Sequence, residues 1–437
     1  MKILVKDKSE LIDFVLNQNI DLSYLDTSLI TDMSELFLNS NRKDFSGINT
    51  WDTSNVTNMK AMFSGCSNFN KTLYFDTSSV TNMQEMFKNC KAFNKSLNLN
   101  TSNVTNMKAM FSGCSNFNKT LYFDTSSVTN MQEMFKNCKA FNKSLNLNTS
   151  NVTNMKAMFS GCNAFNSDIN FNTHCVVDMS MMFDNCTNFN KVLNFNTINV
   201  KNMNAMFYNC INFNQSLNFD TTNTLNMSEM FAECKNFNSS LDLNTANVNN
   251  MSYMFYNCIN FNQSLDFNTE NVFKMNAMFY NCVNFNQSLD FNTENVFDMS
   301  EMLYNCINFN QEINLNSKKT HNMSSMFYNC INLNKPINLK TSNVINMNRM
   351  FCNCSNFNQE LTFDTKLVKD MFYMFKDCVS LNKTFHFNLN KIEKFNDKNT
   401  MKINLKTYIK NMILKNCPAI IEIPNSNYTN LNQSNHK

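Results

Sequence analysis

Glycine and proline are nearly missing from this 437-residue chain, with 4 of the first and 3 of the second. Average usage would supply about 30 and 20, so the chain cannot draw on ordinary turn chemistry. The four glycines, Gly47, Gly65, Gly113 and Gly161, lie too far apart to build a Gly-rich phosphate loop. Arginine is as scarce: Arg42 and Arg349 stand alone, and lysine supplies every other basic side chain. The side chain best suited to bidentate phosphate recognition is therefore almost absent. A net charge of +3 exerts no global pull on nucleic acid or an anionic membrane. Four histidines leave little material for acid–base or metal chemistry. No apolar run approaches the roughly 18 residues of a membrane span. The N-terminal MKILVKDKSELIDFVL interrupts its apolar run with charge and shows no signal-peptide pattern. The C-terminal NSNYTNLNQSNHK shows no anchor. The expectation is therefore a cytoplasmic chain rather than a cell-surface one, with no membrane insertion.

In place of the missing residues stand 89 Asn, 42 Phe and 33 Met, and they recur with a fixed period. Cys66, Cys90, Cys114 and Cys138 open an evenly spaced column, one cysteine in every twenty-four positions, that runs unbroken to Cys378, fourteen in all. Met59 and Met62 each begin a column of fourteen methionines, Phe63 and Phe69 begin aromatic columns, and Thr53 begins a threonine column. Asn follows the Phe69 position in every regular unit, from Asn70 to Asn382. One unit reads T-x-x-V-x-x-M-x-x-M-F-x-x-C-x-x-F-N-x-x-L-x-F-[DN]. A degenerate unit with Thr27, Met33, Leu36, Phe37 and Phe45 precedes the fourteen regular ones and is longer by two. Residues 55–114 recur letter for letter at 103–162, so those coils carry identical surfaces.

Period decides the fold class. Val56, Met59, Met62 and Phe63 share one face at helical spacing, and a Gly or Asn at the position of Gly65 supplies the left-handed residue that ends a helical turn. Leu73-Tyr74-Phe75 alternates as a half-buried strand does. So short a unit cannot bury its apolar face alone, and units must stack. The expected architecture is a repeat solenoid. Each coil has one short strand plus a short helix or helical turn, and the strands form a parallel stacked sheet closed by helical caps. The expected divisions are an N-terminal capping helix within 1–24, a solenoid over 25–390, and a C-terminal cap helix and polar tail over 391–437. Asp7 reads as the N-cap of the first helix, with Glu10 completing a capping box. Residues 400–416 read as the closing helix, and the tail from Pro418 as loose. The Met and Phe stripes read as core, and the Asn column as an internal amide ladder that satisfies backbone groups of neighbouring coils.

The cysteine column reads as buried free thiols. Disulfides between stacked neighbours fall within Cα range, but parallel side chains disfavour them. A single file of thiols does not converge four ligands on zinc. His174, His321 and His386 fall at three phases of the repeat, so no catalytic or metal-binding His cluster is expected. Two outward columns remain as candidate partner-binding sites. One is aromatic, Tyr208, Tyr256, Tyr280, Tyr304 and Tyr328, and reads either as a protein-contact surface or as rings packing sideways on one another. The other is acidic, Asp242, Asp266 and Asp290, where like charges repel at stacked positions. Lys60, Lys71, Lys88, Lys91 and Lys95 make the early coils basic and read as a solvated face.

The stretch T-S-N-V-T-N-M-K-A-M-F-S-G-C-S-N-F-N (53–70), with the lead-in from Arg42 to Val56, resembles the repeats of BspA-like leucine-rich-repeat surface proteins over about residues 20–390. That resemblance implies a leucine-rich-repeat solenoid with the C-x-x-F-N-x-x-L-x-F segment at the strand position. It also implies binding of other molecules, often at a cell surface, and supplies no catalytic residues. The expectation is a monomeric, non-enzymatic binding scaffold without cofactor or metal, recognising a protein or a glycan and no nucleic acid. The alternative is an adhesin-like protein, secreted or displayed by an unrecognised export route.

Overall fold

The computed structural model describes residues 2–392 and 405–422. The chain divides into two compact units, Met1–Thr224 and Leu225–Lys437. Each is a repeat solenoid, in which a coil pairs in parallel with the coil one period on, as in Asn58↔Asn82 of the first unit and Asn226↔Asn250 of the second. The pairing Asp32↔Asn58 reaches two positions further along the chain, which is the extra length of the degenerate unit.

The hydrogen bonds between coils concentrate in the segment whose spacing suggested a short helix or helical turn. Met59, Ala61, Phe63 and Gly65 donate their N–H groups to the carbonyls of Asn82, Gln84, Met86 and Lys88 at 2.7–3.0 Å. Within the coil, Met62 N–H returns to Met59 O and Cys66 N–H to Phe63 O, closing successive i→i+3 turns. Each of these two turns carries a left-handed residue at its third position, Ala61 at φ 52° and Gly65 at φ 78°, as a type II turn requires. An α-helix would have spent those N–H groups inside the coil. The turns instead aim every second one at the neighbour, so the segment is a run of turns rather than an α-helix. The column of Gly65 is filled by Gly or Asn, with Glu233 and Asp377 the exceptions, and it is left-handed throughout. The column of Ala61 is also left-handed but holds Ala109, Glu133, Met181, Arg349 and Tyr373 among others. A left-handed non-glycine residue costs about 1–2 kcal/mol; four inter-coil bonds at about 1 kcal/mol each outweigh it.

The Leu-x-Phe half keeps its alternation, with side chains buried, exposed, buried, but pairs less regularly. In the second unit β3 (Ile313–Leu315) pairs in parallel with β4 (Ile337–Leu339), and in the first unit Leu145 bridges Ile169. Between the two halves lies the core. Phe63 stacks on Phe69 of its own coil at 4.2 Å and on Phe87 of the next at 5.7 Å, the latter pair parallel to within 3°. Phe69 stacks on Phe93 at 5.8 Å. Met59, Met62 and their equivalents are fully buried beside these rings, where a flexible thioether fills gaps against aromatic edges. The threonine column is buried, and its hydroxyls bond the next coil, as Thr53 Oγ1 donates to Asp76 O at 2.9 Å and Thr77 Oγ1 to Asn100 O at 2.8 Å. Thr293 Oγ1 is the exception among the described residues, buried without a partner.

Both ends have their own devices. In the first unit β1 (Ile3–Leu4) pairs with β2 (Leu25–Asp26), and α1 (Lys8–Leu16) lies between them in sequence. Asp7 Oδ1 accepts from Glu10 N–H at 2.9 Å, while the Glu10 carboxylate reaches back to Lys6 N–H at 2.7 Å, one residue further than a capping box does. The carbonyls of Val15 and Asn17 at the far end of α1 accept from the buried Arg42 guanidinium. In the second unit α2 (Leu405–Tyr408) continues as a π-helical turn over Ile409–Ile413. Residues 400–404 of the expected closing helix lie outside the described residues. This segment takes the place of a further coil, because Phe375 and Asp377 donate to Ile413 O and Lys415 O at 3.1 and 2.8 Å. The segment after Pro418, expected to be loose, instead forms β6 (Ile420–Glu422), paired in parallel with β5 (Thr384–His386). Ile421 is buried there, so an apolar side chain and an open strand edge hold it. Residues beyond 422 lie outside the described residues.

The left-handed columns make two opposite expectations for substitution. In Gly113→Ala the new Cβ would stand 2.2 Å from Asn89 Oδ1 at φ +77°, and it should destabilise by about 2 kcal/mol or more. Arg349→Gly, at φ 55°, should leave stability unchanged or raise it, where a helical position would lose about 1 kcal/mol. Urea denaturation of the two variants measures both.

Candidate functional site

Two of the repeat's columns leave almost nothing free for chemistry. The column cysteines are buried and donate their thiols to a carbonyl of the preceding coil, Cys66 Sγ to Phe37 O at 2.9 Å and Cys282 Sγ to Phe255 O at 3.0 Å. Burial raises the thiol pKa, for Cys66 to about 11 and for Cys138 and Cys258 further still. A thiol with a high pKa yields little thiolate at neutral pH and is a poor nucleophile. The Asn column is likewise committed. Asn94 N–H donates to Asn70 Oδ1 at 3.0 Å and Asn286 N–H to Asn262 Oδ1 at 2.8 Å. The expected internal position is corrected, however: Asn70 and Asn142 are exposed. Phe69 turns inward, so the residue after it turns out, and the amide clips neighbouring coils together at the surface.

The aromatic column splits between the units, with Tyr208 in the first and Tyr256, Tyr280, Tyr304 and Tyr328 in the second. The latter four are half-buried and form one face-to-face stack, with centroids 4.6, 4.3 and 4.4 Å apart and adjacent rings within 19° of parallel. Burial, with Tyr280 and Tyr328 on either side, pushes the Tyr304 hydroxyl well above the usual phenol range. Beside the stack runs an amide ladder that the sequence reading missed. Asn257 Nδ2 donates to Glu233 Oε1 at 2.6 Å and Asn281 Nδ2 to Asn257 Oδ1 at 2.8 Å, and Asn305 and Asn329 continue it. The recurrence of Asn immediately after Tyr was its visible signal.

Asp242, Asp266 and Asp290 are exposed at the outward strand position of the second unit. They do not join the tyrosines. Phe279 and Phe291 meet in the core at 6.5 Å from opposite walls of the coil, so their outward neighbours Tyr280 and Asp290 face away from each other. The histidines stay apart as well. His174 is exposed in the first unit, His321 stacks on Phe297 at 6.1 Å, and His386 Nδ1 lies 3.4 Å from Glu422 Oε2; His436 lies outside the described residues. Among the described residues, no three His, Cys, Asp or Glu side chains converge to hold a metal ion. No helix there is long and apolar enough to cross a membrane.

Two surface features escaped the reading of the sequence. In the second unit Phe273 and Phe297 are exposed at 46% and 47% and lie 6.4 Å apart. Ile345 is exposed in the same column. The signal was there, since this column is Thr in the early coils and later takes apolar residues such as Val177, Leu225, Phe273, Phe297 and Ile345 among polar ones such as Lys201 and Asn249. In the first unit an open depression of about 1070 Å³ is lined by Tyr122, Asn146, Asn170, Asn194, Asp168 and Lys191. Asp168 and Lys191 pair there at 3.3 Å, and Tyr122 is 84% exposed.

The family model described as "Mycoplasma protein of unknown function, DUF285" matches residues 6–122, 97–191, 120–217, 144–243, 179–290, 242–319, 264–340 and 313–412, and the chain belongs to that family. No curated protein matches the chain. A similar solved structure is described as "Crystal structure of TLR13-ssRNA13 complex"; it is 14% identical, with a TM-score of 0.23, over 84% of this chain and 53% of that one. The chain thus spans about half the length of that protein.

The buried thiols give a pH dependence whose sign is fixed. Their pKa is raised in the folded chain above an unfolded value of 9.0, so the folded chain keeps protons that the unfolded chain loses. Stability should hold below about pH 8 and fall as pH rises from 9 toward 11, measured as a falling melting temperature. In native protein at pH 8, iodoacetamide should label Cys175, which is not buried, before any column thiol. Cys417, also not fully buried, has its thiol pushed up to about 11 by partial burial and should react more slowly than Cys175. Mass spectrometry after brief labelling reads the difference.

Proposed function

We propose that this chain is a non-catalytic binding scaffold that presents repeated outward columns to a protein or glycan. The observation that carries the reading is the commitment of the repeat's polar groups. Column thiols, threonine hydroxyls other than that of Thr293, Asn amides and alternate backbone N–H groups are engaged with a neighbouring coil. Only the outward positions differ from coil to coil without disturbing that pattern. They change from Lys and Tyr in early coils to Asp, Tyr and Phe in later ones, which is how a scaffold diversifies its contacts. Outward rings such as Phe273 and Phe297 supply the aromatic area that interfaces favour, and the Tyr256–Tyr328 stack and the Asp242–Asp290 strip offer further contact columns. The resemblance to BspA-like proteins agrees with a binding role, and the column of reduced thiols fits a reducing compartment, hence the cytoplasm.

A purified-partner screen tests the reading. The chain, immobilised, should bind at least one defined protein or glycan saturably. Substitutions confined to outward columns, such as Phe273→Ser with Phe297→Ser or Tyr256→Ser with Tyr280→Ser, should weaken that binding at least tenfold while the fold persists by circular dichroism. A reproducible turnover that one point mutation abolishes would overturn it.

A further inference from the structure

One wall of the first unit carries a pattern that its fold does not use. At the outward strand position stand Tyr74, Asn98, Tyr122 and Asn146. Tyr74 and Tyr122 are 73% and 84% exposed, far more than the half-buried tyrosines of the second unit. Three residues before each stands a lysine: Lys71, Lys95, Lys119 and Lys143. Both columns belong to one surface, because Lys191 of the lysine column and Tyr122 and Asn146 of the other line the same depression. Lys191 is paired with Asp168, whereas the four earlier lysines form no ion pair among the described residues. Ammonium groups repeated at every coil repel one another, and the exposed rings leave apolar area in water. Neither feature stabilises the coil, so both are available to a ligand.

We propose that this wall binds a linear polysaccharide bearing one carboxylate per sugar, laid along the stack. The inference rests on the scaffold reading and names its ligand. Coils are tied one to the next through the turn segment, at about the 4.8 Å of paired strands, close to the length of one sugar in an extended chain, so the wall offers about one lysine and one tyrosine or asparagine per sugar. The lysine takes the carboxylate as a point charge. The ring of Tyr74 or Tyr122 covers the C–H face of a sugar, and Asn98 and Asn146 offer amide donors and acceptors to its hydroxyls. Identical residues recur two coils apart, from 55–114 to 103–162. An identical pair of surfaces suits a ligand that itself repeats, and engaging both raises avidity without any new contact. A highly sulfated chain would call for bidentate Arg recognition, and both arginines of the protein, Arg42 and Arg349, lie outside these coils. A single-stranded nucleic acid would want an aromatic ring for each base, and here rings alternate with amides.

Calorimetry on the full chain distinguishes these ligands, with polygalacturonate as the probe and neutral dextran, dextran sulfate and oligo-dT beside it. Polygalacturonate should bind with an affinity that falls steeply with salt. Lys95→Gln with Lys119→Gln and Lys143→Gln should weaken it at least tenfold and flatten the salt dependence. Tyr74→Ser with Tyr122→Ser should weaken it at least fivefold and leave the salt dependence intact. Unchanged thermal melts show that the variants fold. Tighter binding of dextran sulfate or oligo-dT, no binding of polygalacturonate, or binding indifferent to both sets of substitutions overturns the proposal. A chain that ignores every polysaccharide but binds a protein through second-unit columns loses this ligand and keeps the scaffold reading.

Discussion

Everything in this protein depends on the hydrogen bonds that alternate N–H groups of one coil make to the next. Met59, Ala61, Phe63 and Gly65 can donate outward only because left-handed residues break the chain into turns at two fixed points per coil. That register fixes the turn segment itself and leaves the rest of the coil freer in length. The degenerate unit is longer by two, yet Phe37 still stacks on Phe63 at 5.4 Å and the Cys66 thiol still reaches Phe37 O. Extra residues are therefore accommodated outside the paired turns.

The composition follows from the same constraint. Flat rings stacked at 5.7 Å suit a core in which one coil repeats the next, and methionine fills what the rings leave. Asparagine is abundant because an amide can accept from the coil ahead, as Asn70 does. It also tolerates a left-handed backbone, as at Asn89. Glycine does the second job at Gly65, Gly113 and Gly161, where the room a Cβ would fill belongs to the Asn amide of the preceding coil. The alternation of Gly and Asn along the early coils is thus a steric match between neighbours.

Much of this was legible in the residues. The period, the Phe and Met core, the buried thiols and the left-handed column at Gly65 followed from columns that hardly vary; so did the bonding of the Asn column between coils, but not its place at the surface. The run of turns did not, because i, i+3 spacing is common to a helix and to successive turns. Its distinguishing sign, a left-handed backbone at Ala109, Glu133 or Arg349, is carried by residues without a preference for it. The strand made by Ile420–Glu422 escaped for a related reason, since so short a segment gives no period. The exposed faces were hardest to read. Tyr256 and Tyr122 are the same residue type in outward columns, yet one lies in a stack of rings and the other stands in water. Only the neighbouring column, Gly or Asn beside one and Leu or Phe beside the other, separates them.

A scaffold of this kind keeps its chemistry shallow: interior groups hold coils together, and recognition falls to what projects. The ladder of left-handed turns is the claim on which the rest stands, and far-UV circular dichroism tests it most directly. Among the described residues only the nine of α1 and the four of α2 are α-helical. A folded, cooperatively melting chain should therefore give almost no helical signal at 222 nm. A spectrum with the helix content of an ordinary globular domain, about a third of the residues, would mean one helix per coil and would contradict the ladder.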